Sequence, residues 1–198
     1  ESDPFMFYVA SATGGVFRTR NNGVTWEAVF ENEATHSVGD IAVFQPNPDI
    51  IWVGTGERAN RQSSGWGDGV YKSTDAGATW TNVGLRDSLH IGRIVTHPSD
   101  PDTVWVAAPG HLWGPNEERG LYKTSDGGRT WERLLYIDEN TGVIDVAIHP
   151  SDTDTIWAAA YQRQRKAFGF DGGGAGSGLY KSTDGGRTTR RAQRCRRL

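Results

Sequence analysis

Three charged residues recur at one register position of this sequence and could act together chemically. Asp40, Arg93 and Asp145 each stand twelve residues before a tryptophan that lies in an apolar segment. Two carboxyl groups that face one glycosidic bond at a separation of roughly 5 to 9.5 Å can hydrolyse it, so Asp40 and Asp145 are candidate catalytic residues. Because unpaired charges beside apolar strands are costly to bury, the three residues are also explained as an ion-pair network or as a polar ligand site.

Polar and aromatic residues also follow these tryptophans in long segments. Binding residues concentrate on variable loops that a rigid scaffold holds, so these segments are candidate ligand contacts. Trp66 and Trp113 lie in Gly-rich stretches and could stack on sugar rings, or they could attach the loops to the scaffold. Together with one residue of the register position, these segments supply the candidate ligand-binding residues, which are Arg93, Glu57, Arg58, His111, Trp113, Tyr161 and Arg163.

The pattern Ser/Thr-x-Asp/Asn-x-Gly-x-Thr-Trp occurs four times, and its chemistry is structural. The Asp or Asn side chain can accept hydrogen bonds from backbone N–H groups just ahead and so close a turn, the Gly suits a positive φ, and the Trp is an apolar anchor. Each turn offers too few carboxylates for a calcium site, so we predict no metal. The motif residues are Asn21, Gly23 and Trp26; Asp75, Gly77 and Trp80; Asp126, Gly128 and Trp131; and Asp184 and Gly186, with Thr189 at the fourth Trp position.

The spacing of the motif predicts the architecture. Successive copies are 54, 51 and 58 residues apart, a period typical of propellers and other repeat arrays. Short apolar segments and turns divide each unit into four strands, A to D, which favours a partial all-β propeller of about three to four blades over a β-helix, whose repeat is shorter. The predicted units are a blade part at 5–30, blades at 40–84 and 92–136, and a blade part at 143–189.

The strand order predicts two different faces. The A–B turns and the repeat motifs fall on one face, which we call the turn face. The long B–C connections and the starts of strand A fall on the other, which we call the loop face. Asp40, Arg93 and Asp145 therefore ring the central channel on the loop face, where a ligand is expected to bind.

Composition limits the other possibilities. The 198 residues include 26 Gly and 8 Trp, no apolar run long enough to span a membrane, and one cysteine, Cys195, which rules out an internal disulfide. No signal peptide is recognisable, and because the chain opens inside an apparent strand we expect that its N-terminus is lost. Residues 190–198 carry five Arg, and residues 1–189 sum to a charge of −8. We interpret this basic tail as a truncation or frame-shift product rather than a nucleic-acid arm.

The motif GLYKSTDGGRT resembles the Asp-box of the BNR-type propellers, which include sialidases, xyloglucanases and sortilin-type receptors. Longer stretches such as SSGWGDGVYKSTDAGATW and HIGRIVTHPSDPDTVWVAAPGHLWGPNEERGLYKTSDGGRTWE are similar to a bacterial group of large sortilin-like BNR-repeat proteins that are often labelled glycosyl hydrolase. The resemblance covers residues 5–188 and implies an Asp-box β-propeller. An Asp-box identifies a fold, and fold-level analogy is a weak warrant for chemistry.

Two departures weaken the hydrolytic interpretation. The resemblance to xyloglucanases implies a catalytic Asp in an Asp-x-Gly-Gly strand. In the similar stretch of this sequence, ASATGGVFR, Ala12 occupies the position of that Asp. Sialidases carry an Arg-Ile-Pro motif, which this chain lacks. Patterns such as HExxH, GxGxxG, GxxxxGK[ST] and GxSxG are also absent, and His97 and His149 lie in turn sequences where they cap the turn.

The sequence therefore predicts a ligand-binding propeller module of an exported bacterial BNR-repeat, sortilin-like protein. Its expected partners are a protein, peptide or glycan ligand and the remaining blades of a parent chain; no nucleic acid and no cofactor are expected. Its expected location is secreted, periplasmic or cell-surface. The alternative is a glycoside hydrolase of the Asp-box propeller type that uses carboxylates from several blades.

Overall fold

The computed structural model describes residues 3–194, which form four antiparallel β-sheets and one short 3-10 helix (Arg86–Ser88). The first sheet contains β1 (Phe7–Ser11), β2 (Gly15–Thr19) and β3 (Glu27–Ala28). The second contains β4 (Val38–Val43), β5 (Ile51–Thr55), β6 (Val70–Ser73) and β7 (Thr81–Gly84), and the third β8 (Arg93–Thr96), β9 (Val104–Ala108), β10 (Gly120–Thr124) and β11 (Glu132–Leu135). The fourth contains β12 (Thr141–His149), β13 (Asp152–Lys166), β14 (Gly169–Gly172), β15 (Gly178–Ser182) and β16 (Arg190–Arg194).

Consecutive strands pair as antiparallel hairpins in the first three sheets, and in the fourth sheet β13 pairs with both β14 and β15. The innermost strands β4, β8 and β12 lie side by side, with β8 between the other two. This arrangement confirms the predicted fold class, a partial β-propeller with four-stranded blades, because each period of the repeat forms one sheet.

The fourth sheet differs from the sequence expectation in two places. The long B–C connection of the fourth unit was expected to be a loop, but β13 continues to Lys166 and folds back as a hairpin with β14, where Lys166 pairs with Gly169. The blade was expected to stop at residue 189, but β16 adds a fourth strand, in which Arg190 pairs with Lys181. Backbone pairing requires no particular side chain, so a strand forms although Thr189 replaces the motif tryptophan. Cys195 and the end of the basic tail lie outside the described residues.

Three apolar clusters hold neighbouring sheets together. The cluster between the first and second sheets includes Val16, Phe30, Val53 and Tyr71. The cluster between the second and third includes Trp52, and that between the third and fourth includes Trp105. Trp52 is fully buried and Trp105 is nearly so. Alternate residues of each central strand therefore face the preceding and the following sheet, as expected for sheets covered on both faces.

Each Asp-box turn is closed by the same hydrogen bonds. In the third copy, Asp126 Oδ1 accepts from the Thr124 hydroxyl at 2.8 Å and from the Thr130 N–H at 3.0 Å, and Oδ2 accepts from the Thr130 hydroxyl at 2.7 Å. Hydrogen bonds to the ionised carboxylate hold the pKa of the motif Asp side chains below their usual range, to about 2 for Asp75. In the first copy Asn21 keeps the turn, because its Oδ1 accepts from the Thr25 N–H at 2.9 Å.

The second and third Asp-boxes also join their blades to the preceding blade. The indole N–H of Trp80 donates to the Val29 carbonyl at 2.6 Å, and that of Trp131 donates to the Val83 carbonyl at 2.7 Å. Gly128 has φ 89°, and a Cβ on it would lie 2.6 Å from the Val83 side chain. Glycine is thus required there both by the backbone conformation and by the close approach of the preceding blade.

We predict that Asp75→Asn makes the free energy of unfolding less dependent on pH between pH 4 and pH 2. The folded-state pKa of Asp75 lies at about 2, below the usual 3.8, so its contribution to stability is present above pH 4 and is lost as pH falls towards 2. The amide of Asn does not titrate, so the variant has no such pH-dependent contribution to lose. Asn21 closes the equivalent turn of the first copy, so the turn should still form. Urea unfolding of both proteins from pH 6 to pH 2 measures the difference. Parallel curves over that range would contradict the prediction.

Candidate functional site

The register position identified in the sequence forms an ion-pair network at the centre of the sheets. Arg93 Nε lies 3.8 Å from Asp40 Oδ2 and 3.9 Å from Asp145 Oδ1. Asp40 Oδ2 also accepts a hydrogen bond of 2.7 Å from the Ile94 N–H. Side chains from the innermost strands β4, β8 and β12 therefore meet, and Arg93 lies between the two carboxylates.

The three members of this network differ in exposure. The side chain of Asp40 is 15% exposed, that of Arg93 47% and that of Asp145 63%. Burial raises the pKa of Asp40, and the Ile94 N–H and Arg93 oppose that rise. Because both carboxylate oxygens lie within 3.9 Å of the same nitrogen, they are less than about 8 Å apart, and this upper limit does not exceed the range used for glycoside hydrolysis.

A buried arginine shapes the loop of the third sheet. Arg119 is fully buried, and its guanidinium donates to the carbonyls of Pro109 (2.5 Å), His111 (2.6 Å) and Gly114 (2.9 Å). Desolvation lowers its pKa to about 10. Sequence reasoning did not single out Arg119, since an Arg in the charged stretch NEERG gives no sign that it turns inward.

A second buried arginine connects the fourth sheet to the loops of the second and third sheets. Arg163 Nη1 donates to the Arg58 carbonyl at 2.9 Å and to Asn60 Oδ1 at 2.8 Å, and Nη2 donates to the Gly110 carbonyl at 3.3 Å. Arg165 donates to the Asn60 carbonyl from the same strand. The β13–β14 hairpin of the fourth sheet thus contacts the loop of the second sheet at Arg58 and Asn60, and it also contacts the loop of the third sheet at Gly110.

Glu57 also holds a loop in shape. It is 1% exposed, pairs with Arg61, and accepts a hydrogen bond of 3.1 Å from the Gly65 N–H. Glu57 and Arg163 are therefore enclosed among loop atoms in this structure. Of the other candidates, Arg58, Arg93 and Trp113 are exposed and His111 and Tyr161 are half-buried.

An open groove on the loop face lies between the two loop tryptophans. Trp66 and Trp113, 62% and 43% exposed, line a space of about 330 Å³ together with Leu89, His111, Leu112 and Gly114. The His111 ring is oriented by its Nε2 atom, which lies 2.9 Å from the Asp87 carbonyl. Leu89 adopts a left-handed backbone with φ 57°. That conformation is unfavourable for a bulky residue, and such strain is found most often at functional sites.

A buried histidine lies beneath these loops. His90 is fully enclosed, and neither ring nitrogen makes a hydrogen bond of normal geometry to a described residue. Desolvation, reinforced by the positive charge of Arg163, lowers its pKa to about 4. The ring is consequently neutral at physiological pH.

The described residues contain no group of three or more His, Cys, Asp or Glu side chains arranged to hold a metal ion. Among residues 3–194 there is also no helix long and apolar enough to cross a membrane.

Comparison with known proteins gives one family match. The model of the Sortilin-Vps10 family, described as sortilin, neurotensin receptor 3, matches residues 68–197, more than half of the chain.

Several individual proteins are also similar. A probable oligoxyloglucan-reducing end-specific xyloglucanase of Neosartorya fischeri is 28% identical over 141 residues, which cover 64% of this chain and 15% of that protein. Xyloglucanase Xgh74A of Acetivibrio thermocellus is 25% identical over 166 residues, 67% of this chain and 18% of that protein. The crystal structure of the Niastella koreensis GH74 enzyme superposes with a TM-score of 0.67 and 22% identity over 96% of this chain and 28% of that chain.

These matches bear out the fold. The chain spans less than a third of each of these relatives, so their activity belongs to proteins several times longer. At the observed identity, the structural likeness establishes a shared propeller architecture and not a shared site.

We predict that His90 makes the free energy of unfolding decrease as the pH is lowered. The unfolded ring binds a proton below about pH 6.5 while the folded ring resists protonation until about pH 4. The free energy of unfolding should therefore drop by about 3 kcal/mol as pH falls across this window. His90→Gln removes the titrating group, so urea unfolding between pH 7 and pH 4 should show a shallower decline. An unchanged slope would show that His90 does not titrate as described.

Proposed function

The chain belongs to the Sortilin-Vps10 family, and from that membership we propose that it is a ligand-binding propeller module whose loop face holds the ligand. Among the candidate ligands (protein, peptide or glycan), a glycan has the best support. The observation that carries this proposal is the open groove between Trp66 and Trp113, because flat aromatic rings exposed on fixed loops suit the apolar faces of sugar rings.

The loops that carry these tryptophans are built to keep their shape. Arg119 satisfies three carbonyls of the loop that bears Trp113, and Glu57 closes the loop that bears Trp66. A preorganised loop loses little conformational freedom on binding, so less of the interaction energy is spent on ordering. This rigidity favours recognition over a purely structural role for the loop face.

The channel mouth offers polar contacts of both charges. Arg93 lies beside both carboxylates through Nε, and its terminal nitrogens make no hydrogen bond to a described residue, so they can donate to hydroxyl or acidic groups of a ligand. Asp145 is well exposed and can accept hydrogen bonds from sugar hydroxyls. Arg58, His111 and Tyr161 are proposed to border the ligand, whereas Glu57 and Arg163 act through the loops that they hold.

The proposed setting is an exported bacterial protein in which further blades of a longer chain continue the ring. The named activities of the similar xyloglucanases suggest that plant-type polysaccharides are the first ligands to test.

We predict that Trp66→Ala and Trp113→Ala each weaken glycan binding roughly tenfold. Loss of one stacking ring removes about 1.4 kcal/mol when its contact area is included. Isothermal titration with xyloglucan oligosaccharides measures the effect. Trp26→Ala is a matched control, because Trp26 is 45% exposed and belongs to an Asp-box on the turn face.

The control variant should bind as the wild type does. Equal binding by all three variants would place the ligand elsewhere, and failure of every tested oligosaccharide to bind at millimolar concentration would favour a protein or peptide ligand.

Hydrolysis is the second candidate function, and the geometry of the channel favours it specifically. Asp40 has a raised pKa, as a general acid requires, and Asp145 is an exposed carboxylate whose nearest oxygen lies less than about 8 Å from Asp40 Oδ2. Arg93 lies close to both groups, and Ala12 stands where the xyloglucanase resemblance places a catalytic Asp. These two features weigh against hydrolysis.

The hydrolytic hypothesis predicts that Asp40→Asn or Asp145→Asn abolishes turnover and spares binding. Reducing-end release from xyloglucan by the complete propeller, at neutral and mildly acidic pH, is the measurement. No release above the double variant Asp40→Asn/Asp145→Asn would eliminate the hypothesis and leave the binding function intact.

A further inference from the structure

Two buried arginines hold consecutive carbonyls in the loop of the third sheet. Arg119 Nη1 donates to the Pro109 carbonyl at 2.5 Å, and Arg163 Nη2 donates to the Gly110 carbonyl at 3.3 Å. Both side chains are enclosed by the loops. Desolvation, and after it the charge of Arg119, lowers the pKa of Arg163 to about 10. The fold therefore brings two like charges together where little water can screen them.

Two further arginines are connected to this pair through the loop of the second sheet. Arg163 Nη1 donates to Asn60 Oδ1 at 2.8 Å and to the backbone carbonyl of Arg58 at 2.9 Å. Arg165 donates to the backbone carbonyl of the same Asn60. The side chain of Arg58 is exposed, and it lies close enough to the channel for its charge to oppose the rise in the pKa of Asp40. Positive charges from the second, third and fourth sheets are thus gathered at the channel mouth.

We call these four side chains the arginine cluster: Arg58, Arg119, Arg163 and Arg165. Among residues 3–194 no carboxylate forms an ion pair with any of them, and all the oxygens to which they donate are neutral carbonyls. The buried Glu57 pairs with Arg61 instead, and Asp138 acts on Arg119 only at a distance. Because a charge is costly to bury without a partner, an anion that approaches the cluster supplies a favourable interaction that the loops lack.

Two exposed guanidinium groups can contact such an anion directly. Arg58 makes no side-chain hydrogen bond or ion pair to a described residue, and the terminal nitrogens of Arg93 make none either. Arg93 offsets one of the two channel carboxylates, Asp40 and Asp145, so one negative charge opposes the four positive charges of the cluster. A guanidinium can bind a carboxylate through two parallel N–H···O bonds. These groups are positive on balance and suit a carboxylate ligand.

We propose that the ligand of the loop face is an acidic oligosaccharide, whose sugar carboxylates bind Arg58 and Arg93 while its rings stack on the tryptophans of the groove. This proposal rests on the proposed glycan-binding function and adds the charge of the ligand. The other three arginines of the cluster act through their charge and through the loops that they hold. Their low-dielectric surroundings strengthen the attraction, so an acidic sugar binds more tightly than a neutral sugar of the same shape.

Isothermal titration of the chain with a galacturonic acid hexamer and with its methyl ester tests the proposal. The two probes contain the same sugar rings and differ in charge. The acid should bind roughly tenfold more tightly than the ester in about 10 mM salt. This preference should shrink in about 1 M salt, because the Debye length falls from about 30 Å to about 3 Å.

Arg58→Gln removes the charge of an exposed side chain and keeps the backbone carbonyl that Arg163 holds, so the loop should keep its shape. The variant should reduce the preference for the acid roughly fivefold at low salt. Arg187→Gln is the matched control, because it removes one exposed positive charge from the fourth Asp-box turn on the turn face. The control variant should keep the full preference.

The outcomes separate this proposal from the glycan-binding function. If the ester or a xyloglucan oligosaccharide binds as tightly as the acid at low salt, the ligand is not selected by charge, and this proposal fails while glycan binding stands. If no sugar binds, both fail. Binding of a glutamate oligomer but of no sugar acid would overturn the proposal in favour of an acidic peptide. Equal effects of Arg58→Gln and Arg187→Gln would also overturn it, since net charge alone would then explain the preference.

Discussion

The contact between neighbouring blades is the constraint on which the rest of this structure depends. The second and third Asp-box turns each place a tryptophan so that its indole N–H reaches a carbonyl of the preceding blade, as Trp131 does with Val83 at 2.7 Å. Gly128 in the same turn allows the blades to approach closely, because any larger residue would collide with Val83. The carboxylate of Asp126 closes that turn and so fixes both groups. One local turn therefore sets the spacing of whole sheets.

The blade spacing in turn determines what the loop face can do. With the sheets fixed, β4, β8 and β12 bring Asp40, Arg93 and Asp145 together from positions more than 50 residues apart. Buried arginines then extend the order into the loops, where no sheet pairing is available. Arg163 ties the second, third and fourth units together at the channel mouth, and its charge is one reason why the buried His90 stays neutral. The turn face carries the repeated turns, and the loop face is the one for which we propose ligand binding.

Most of the fold could be predicted because the same motif and strand pattern recur in register in every unit. The periodic Asp-box motifs and the apolar strands predicted the sheets, and counting twelve residues back from each strand tryptophan located the channel network. The β13–β14 hairpin was not predicted, since its Gly-rich sequence has no equivalent in the other units and carries ordinary loop composition. The inward turn of Arg119 was also not predictable, because the burial of a charge depends on backbone carbonyls that only the folded loop brings together. The same holds for the groove, which two loops far apart in sequence create.

Hydrogen exchange of the chain with and without a saturating xyloglucan oligosaccharide tests the central claim, that the loop face is the binding face. We expect added protection in the loops that carry Trp66 and Trp113 and around Arg93, with unchanged exchange in the Asp-box turns at Asp75 and Asp126. Protection confined to the Asp-box turns, or protection that avoids the groove between the two tryptophans, would contradict it.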